Sequence, residues 1–126
     1  MFNIKNTIDY GMKILKPKSI GACAKHVRLM LEAGGLNTTG HPNAACNYID
    51  FLPKIGFKHI FTLNSRQTQL DFSKNKANIG DIAVMSHGKY GHICIWNGNN
   101  WISDFKQNNM WPYTGNGICK IFRYIS

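Results

Sequence analysis

Four short runs near the end of the chain, IGDIAVM (79–85), HICIW (92–96), WISDF (101–105) and ICKIFRYI (118–125), constrain its fold more than any other feature. Each is rich in Ile, Val and aromatics. The stretches between them (SHGKYG, NGNN and a loop holding Gly, Asn and Pro) are turn material, so the runs read as an antiparallel meander. Such a sheet needs a second layer on its apolar face.

The upstream half supplies that layer. Ile4, Ile8, Met12 and Leu15 are spaced for one face of a helix within 3–15, which Lys16-Pro17-Lys18 breaks. In SIGACAKHVRLMLEAGG, Ala24, Val27 and Leu31 share a side, Ser19 is placed to cap the start, and Gly34-Gly35 stops the helix. Pro42 suits the first turn of a further helix running to about Leu52, with Cys46 and Ile49 inward. Residues 57–63 read as a strand, whereas 64–78 are polar and carry no assignment. The expectation is an α+β fold, N-terminal helices packed on one face of a C-terminal antiparallel sheet of about four to five strands, in a single domain over 1–126.

A length of 126 residues is enough to bury a core without disulfides or metal. Fifteen Lys and Arg against six Asp and Glu give a net charge of +9, which favours polyanionic partners by field alone. The basic residues are scattered, with no block of five or six, which argues for a generally basic surface over a specific nucleic-acid footprint. No run approaches the roughly 20 apolar residues of a membrane span, so membrane insertion is not expected. MFNIKNTIDYGMKILK has neither a continuous apolar core nor a small-residue cleavage site, so no conventional export signal is expected. Cysteines 23, 46, 94 and 119 show no close pairing of the CxxC kind, which argues against a structural zinc, and their spacing leaves disulfide pairing open.

Cys23 falls in the first turn of the second helix, where unpaired N–H groups and the helix dipole favour a thiolate, and Gly21 and Ala22 leave the sulfur uncovered. A nucleophilic thiol needs a base, and the base an orienting group. His41 and His59 have no acidic neighbour in sequence, His87 sits in a Gly-containing turn, and His26 would lie beside the sulfur on the same helix. His92 opens a strand directly after Gly91, a rigid position at a sheet end. Asp104 lies twelve residues further on. A three-residue loop over 97–99 would oppose His92 to Asp104 on one face, whereas a two-residue loop would oppose it to Phe105. Cys94, mid-strand on the His92 face, reads as packed beneath the site.

A Cys opening the helix in GACAKHVRLMLEAGG, followed in order by GDIAVM, GHICIW and an Asp twelve residues past the His, resembles the NlpC-like and CHAP-type branch of the papain-like cysteine peptidases. The resemblance runs from about Ser19 to Tyr113. Those families are peptidoglycan amidohydrolases and endopeptidases, found in cell-wall remodelling enzymes, phage lysins and interbacterial amidase toxins, including type VI secretion effectors. The resemblance implies Cys23 as nucleophile, His92 as general base, Asp104 as the residue orienting His92, and a structural place for Asp81. It implies no metal or organic cofactor. Papain's oxyanion-hole Gln has no counterpart, since Pro17 takes that place, and backbone N–H groups must substitute.

Trp111 and Tyr113, in a Pro-containing loop, are candidates to line a substrate groove, while Trp96 is expected in the core. The expected function is a cell-wall-degrading toxin or lysin that cleaves amide bonds in peptidoglycan peptide stems. It would be made in the cytoplasm, reach the cell wall or periplasm by a non-Sec route, and have a cognate immunity protein as a candidate partner. The same residues would serve a papain-like protease or deamidase acting on cytosolic proteins. A buried Cys23 would instead leave a non-enzymatic basic binding module.

Overall fold

The computed structural model describes residues 2–86, 89–110 and 118–125. Helix α1 (Ile4–Lys13) starts where the Asn3 side chain accepts the Asn6 N–H at 2.9 Å. Helix α2 (Cys23–Ala33) buries Val27, Met30 and Leu31 and ends at Gly34. Its N-cap position is Ala22, with no side-chain cap of its own, so the Ser19 expectation is corrected: Ser19 Oγ instead accepts a long bond, 3.4 Å, from Gly21 N–H.

The third helical segment starts later than Pro42 and is broken. A 3-10 turn (Ala45–Asn47) leads into one turn of α-helix, α3 (Tyr48–Phe51), and a second 3-10 turn (Leu52–Ile55). Gly56, at φ 107°, turns the chain into strand β1 (Phe57–Leu63). Helix α4 (Arg66–Asn75) follows, within the unassigned stretch. The Ser65 and Thr68 side chains each accept the other's backbone N–H, and only Gln69 and Phe72 are buried. A helix with so narrow an apolar face leaves little periodicity to read.

Strands β2 (Ile82–Met85), β3 (His92–Trp96), β4 (Trp101–Ile102) and β5 (Cys119–Tyr124) join β1 in an antiparallel sheet of order β1-β5-β2-β3-β4. One face, including Ile82, Val84, Ile93 and Ile95, packs on the N-terminal helices through Val27, Met30 and Leu31, as expected. The other carries Ala83, Met85, Cys94 and Ile121 and is covered by Phe72 of α4 together with Trp101 and Met110. Every residue of β2 is buried, and each large aliphatic side chain so buried contributes about 1.5–3 kcal/mol. Asp81 and Arg123 tie β2 to β5 through two bonds of 2.8 Å, from Nε to Oδ1 and from a terminal guanidinium nitrogen to Oδ2.

The hairpin between β3 and β4 takes the even register: Trp96 opposes Trp101 and Ile95 opposes Ile102. The cause is Asn97. Its Oδ1 accepts the N–H groups of both Asn99 (2.8 Å) and Asn100 (2.6 Å), while its own N–H donates to the Asn100 carbonyl at 3.0 Å. This closes a tight turn at Gly98, φ 105°, and the three-residue loop that would have opposed His92 to Asp104 does not form. The expected strand WISDF is also cut short. It ends at Ile102, and the Ser103 N–H bonds the Phe105 carbonyl in a bend.

Candidate active site

Cys23 is the first residue of α2, so its N–H has no intrahelical acceptor. The backbone N–H groups of Ile93, Ala24 and Cys23 itself lie near enough to the sulfur to favour its thiolate form. Contact with Ile93 places the thiol beside the start of β3, next to His92. On the sheet, His92 opposes Met85 and belongs to the face carrying Cys94, whereas α2 packs on the other face. Cys23 and His92 therefore come from opposite layers and face the same cleft at the sheet's end. Both line a cleft of about 430 Å3, with Gly21, Ala22, Asn43 and Tyr90 among its walls.

Gly91 makes this approach possible. Its φ is +73°, and a Cβ there would land 2.4 Å from the Met85 carbonyl oxygen and 2.8 Å from Cys46 Cβ. The neighbouring Tyr90 carbonyl accepts the Cys46 N–H at 2.8 Å, so the cleft wall at 44–46 and the turn before β3 are joined.

His92 is buried, and its Nε2 lies 2.7 Å from Gln107 Oε1. The Gln107 amide nitrogen donates to the carbonyls of Asn109 (3.0 Å) and Met110 (3.1 Å), which fixes the oxygen toward the imidazole. A carbonyl oxygen only accepts, so Nε2 carries the hydrogen and the neutral ring has its lone pair on Nδ1. Burial pulls the His92 pKa down, opposed by the Gln107 bond and the charge of Asp104. Burial pushes the Cys23 thiol up; the Ile93 N–H opposes this, and Asp104 adds to it. Both shifts favour a neutral thiol beside a neutral imidazole, so desolvation outweighs the helix terminus that suggested a standing thiolate.

Asp104 is fully buried, and its Oδ2 accepts the N–H groups of Ile20 (2.8 Å) and Ala22 (3.0 Å), while Oδ1 accepts the Ser103 hydroxyl at 3.2 Å. Burial alone would raise its carboxyl pKa, but the Ala22 and Ile20 N–H groups and the Ser103 hydroxyl bring it below the usual value. The Asp104 carbonyl also accepts the Lys16 N–H at 2.8 Å. Asp104 thus pins the turn that delivers Cys23. Opposition to His92 across the hairpin is corrected by the register, and the side chain on Nε2 is Gln107, fifteen residues past the histidine.

Sequence reasoning missed Gln107 because the bend at 103–105, not strand alternation, carries it beneath His92. The only sequence-level signal was an amide residue shortly after the hairpin. His26 is buried on α2, and its Nδ1 has no hydrogen-bond partner among the described residues. His41 Nδ1 lies 3.0 Å from the Pro42 carbonyl oxygen, and His59 Nε2 contacts the Phe61 carbonyl oxygen and Thr62 Oγ1. Burial drives the Cys94 thiol well up, in keeping with a packed residue. Trp111, Tyr113 and His87 lie outside the described residues. Among the described residues, no group of three or more His, Cys, Asp or Glu is placed to hold a metal ion.

No protein-family model matches the chain, and no curated protein sequence does. Solved structures do. A chain of the crystal structure of the type VI native effector-immunity complex Tae3-Tai3 from Ralstonia pickettii is 26% identical, with a TM-score of 0.81 over 98% of this chain and 100% of that one. A chain from the selenomethionine form of the complex is 25% identical, with a TM-score of 0.69 over 90% of this chain and 97% of that one. The α+β architecture expected from the sequence is the one observed, and these chains share it.

Proposed function

We propose that the chain is a type VI secretion effector that hydrolyses amide bonds in the peptide stems of peptidoglycan, as a cysteine amidohydrolase or endopeptidase of the NlpC-like and CHAP-type branch. The observation that carries the chemistry is Cys23 at a helix N-terminus, sharing an open cleft with a His92 whose tautomer is set by Gln107. The similarity to the Tae3-Tai3 chains supports the delivery route, an antibacterial role and an immunity protein as partner.

In this reading, substrate binding expels the remaining water and brings a peptide carbonyl against Cys23. His92 Nδ1 takes the thiol proton as sulfur attacks the carbonyl carbon. The oxyanion that develops is received by the Cys23 N–H. The Nδ1 proton then passes to the leaving amine as the C–N bond breaks, leaving a thioester. Water, deprotonated by the same Nδ1, attacks that carbon and releases a carboxylic acid and the free thiol. Gln107 holds the ring throughout, Asp104 holds the Cys23 turn, and the net charge of +9 gathers the protein onto an acidic envelope.

Purified peptidoglycan incubated with the protein and read by mass spectrometry of the released muropeptides tests this. The expected result is a new set of peptide-cleaved fragments that Cys23→Ala and His92→Ala each reduce by about a thousandfold or more. Unchanged muropeptides alongside cleavage of a protein substrate would point to the protease reading instead. Undiminished cleavage by Cys23→Ala would remove the nucleophile assignment.

A further inference from the structure

A second concavity, of about 300 Å3, is lined in part by Trp96 and Trp101. The Trp101 indole is buried and fixed by its Nε1–H, which donates to Ser73 Oγ at 2.8 Å. Trp96 packs against it, the ring centroids 5.2 Å apart and tilted by 53°, and stays partly exposed. Around these rings stand the carboxamides of Asn99, Asn100, Asn108 and Asn109. Their side chains take part in none of the hydrogen bonds among the described residues, and no carboxylate lines the concavity. Lys74 supplies the one charged side chain of the lining, and Leu70 and Met110 add apolar surface beside the indoles.

Such a lining suits one chemistry. An indole face is electron-rich and receives the polarised C–H face of a pyranose ring. A carboxamide offers two donors and an acceptor and so matches hydroxyl and N-acetyl groups, which also do both. The size falls at the lower end of small-ligand sites, room for a sugar ring or two. The absence of carboxylates gives a cationic ligand nothing to pair with.

Position adds to the argument. His92, Cys94 and Trp96 alternate along β3 and so lie on one face. At strand rise, the indole sits roughly 13 Å from the proposed base, the reach of a short peptide. Gln107 belongs to both places, since its Oε1 holds His92 and its side chain borders the concavity. We propose that this concavity is a carbohydrate subsite that takes the amino-sugar strand from which a stem peptide hangs while the cleft works on that peptide. The proposal rests on peptidoglycan being the substrate.

The full chain is assayed on two substrates, intact peptidoglycan and the same cross-linked stem peptide freed of its sugars, with wild type, Trp96→Ala and a paired Asn99→Ala/Asn108→Ala variant. The paired variant alters exposed side chains only, so it stands if Trp96→Ala does not fold. The expected result is a loss of about tenfold on intact peptidoglycan with unchanged cleavage of the free peptide. An equal loss on both substrates, or a loss on neither, overturns the subsite. Saturation-transfer NMR with a trimer of N-acetylglucosamine reads the site without turnover. Wild type should bind and the paired variant should not, and a wild type that does not bind overturns the subsite. A wild type that binds the trimer yet cleaves neither substrate overturns the amidase reading and leaves the carbohydrate site standing.

Discussion

Gln107 reaches His92 through a neutral carbonyl oxygen, and the pH behaviour of the site depends on that choice. Replacing it with Glu would set a carboxylate on Nε2, favour the imidazolium and move the acid limb of the pH–rate profile to higher pH. Gln107→Ala should keep a proton-transfer group but lose its orientation, lowering kcat/KM by about 10- to 100-fold with no new limb. Asp104 behaves differently, since its charge raises the Cys23 thiol pKa. Asp104→Asn should therefore shift the iodoacetamide reaction rate of Cys23 to lower pH. An upward shift would show that the carboxylate stabilises the thiolate and would count against the assignment made for it. The positions of Cys23 and His92 were legible from local signals, a small-residue helix start and a strand opening after Gly. The roles of Asp104 and Gln107 were not, because each depends on a bend whose partners lie far away in the chain.

At the level of elements, the approach to β3 is the least forgiving part of the site. Gly21 and Gly91 share a φ of +73°, yet a Cβ on Gly21 would meet nothing within 4 Å and one on Gly91 would strike backbone. Gly21→Ala should cost only the left-handed strain, about 1 kcal/mol, while Gly91→Ala should cost at least about 3 kcal/mol and also lower kcat, read by urea midpoint and turnover together. Helix α4 offers a milder contrast: Ser65→Ala removes half of its reciprocal cap and should cost about 1 kcal/mol with activity unchanged. The strongly apolar strands could be read from the sequence because burial on both faces writes itself into composition. α4 and the broken segment at 45–55 could not, since one is mostly polar and the other changes helix type twice.

Across the molecule, the sheet is braced by a charge pair whose acid is buried and whose base is about a third exposed. Asp81→Ala strands Arg123 with a route to water, so the loss should be about 2 kcal/mol, short of that for a fully buried pair, measured by urea denaturation. Acid should unfold the protein in two stages. The folded His92 has a pKa below its unfolded value near 6.5, so protonation favours the unfolded chain. That contribution is complete above about pH 6.5 and is lost as pH falls toward the folded value. Asp104 adds a second contribution, present above about pH 3.9 and lost as pH falls through its lower folded value. Melting temperature should fall between pH 7 and 5, less so in His92→Gln, and again below pH 4. The sheet order has a consequence for how the protein is made. β5 is the last of the described strands to be made, yet it lies between β1 and β2, so until it emerges β1 stands apart from the β2-β3-β4 ribbon. Asp104, which seats the turn before Cys23, also comes late. The residues that line the cleft are therefore all made before the segments that hold them in place, so the cleft is among the last features of the fold to assemble.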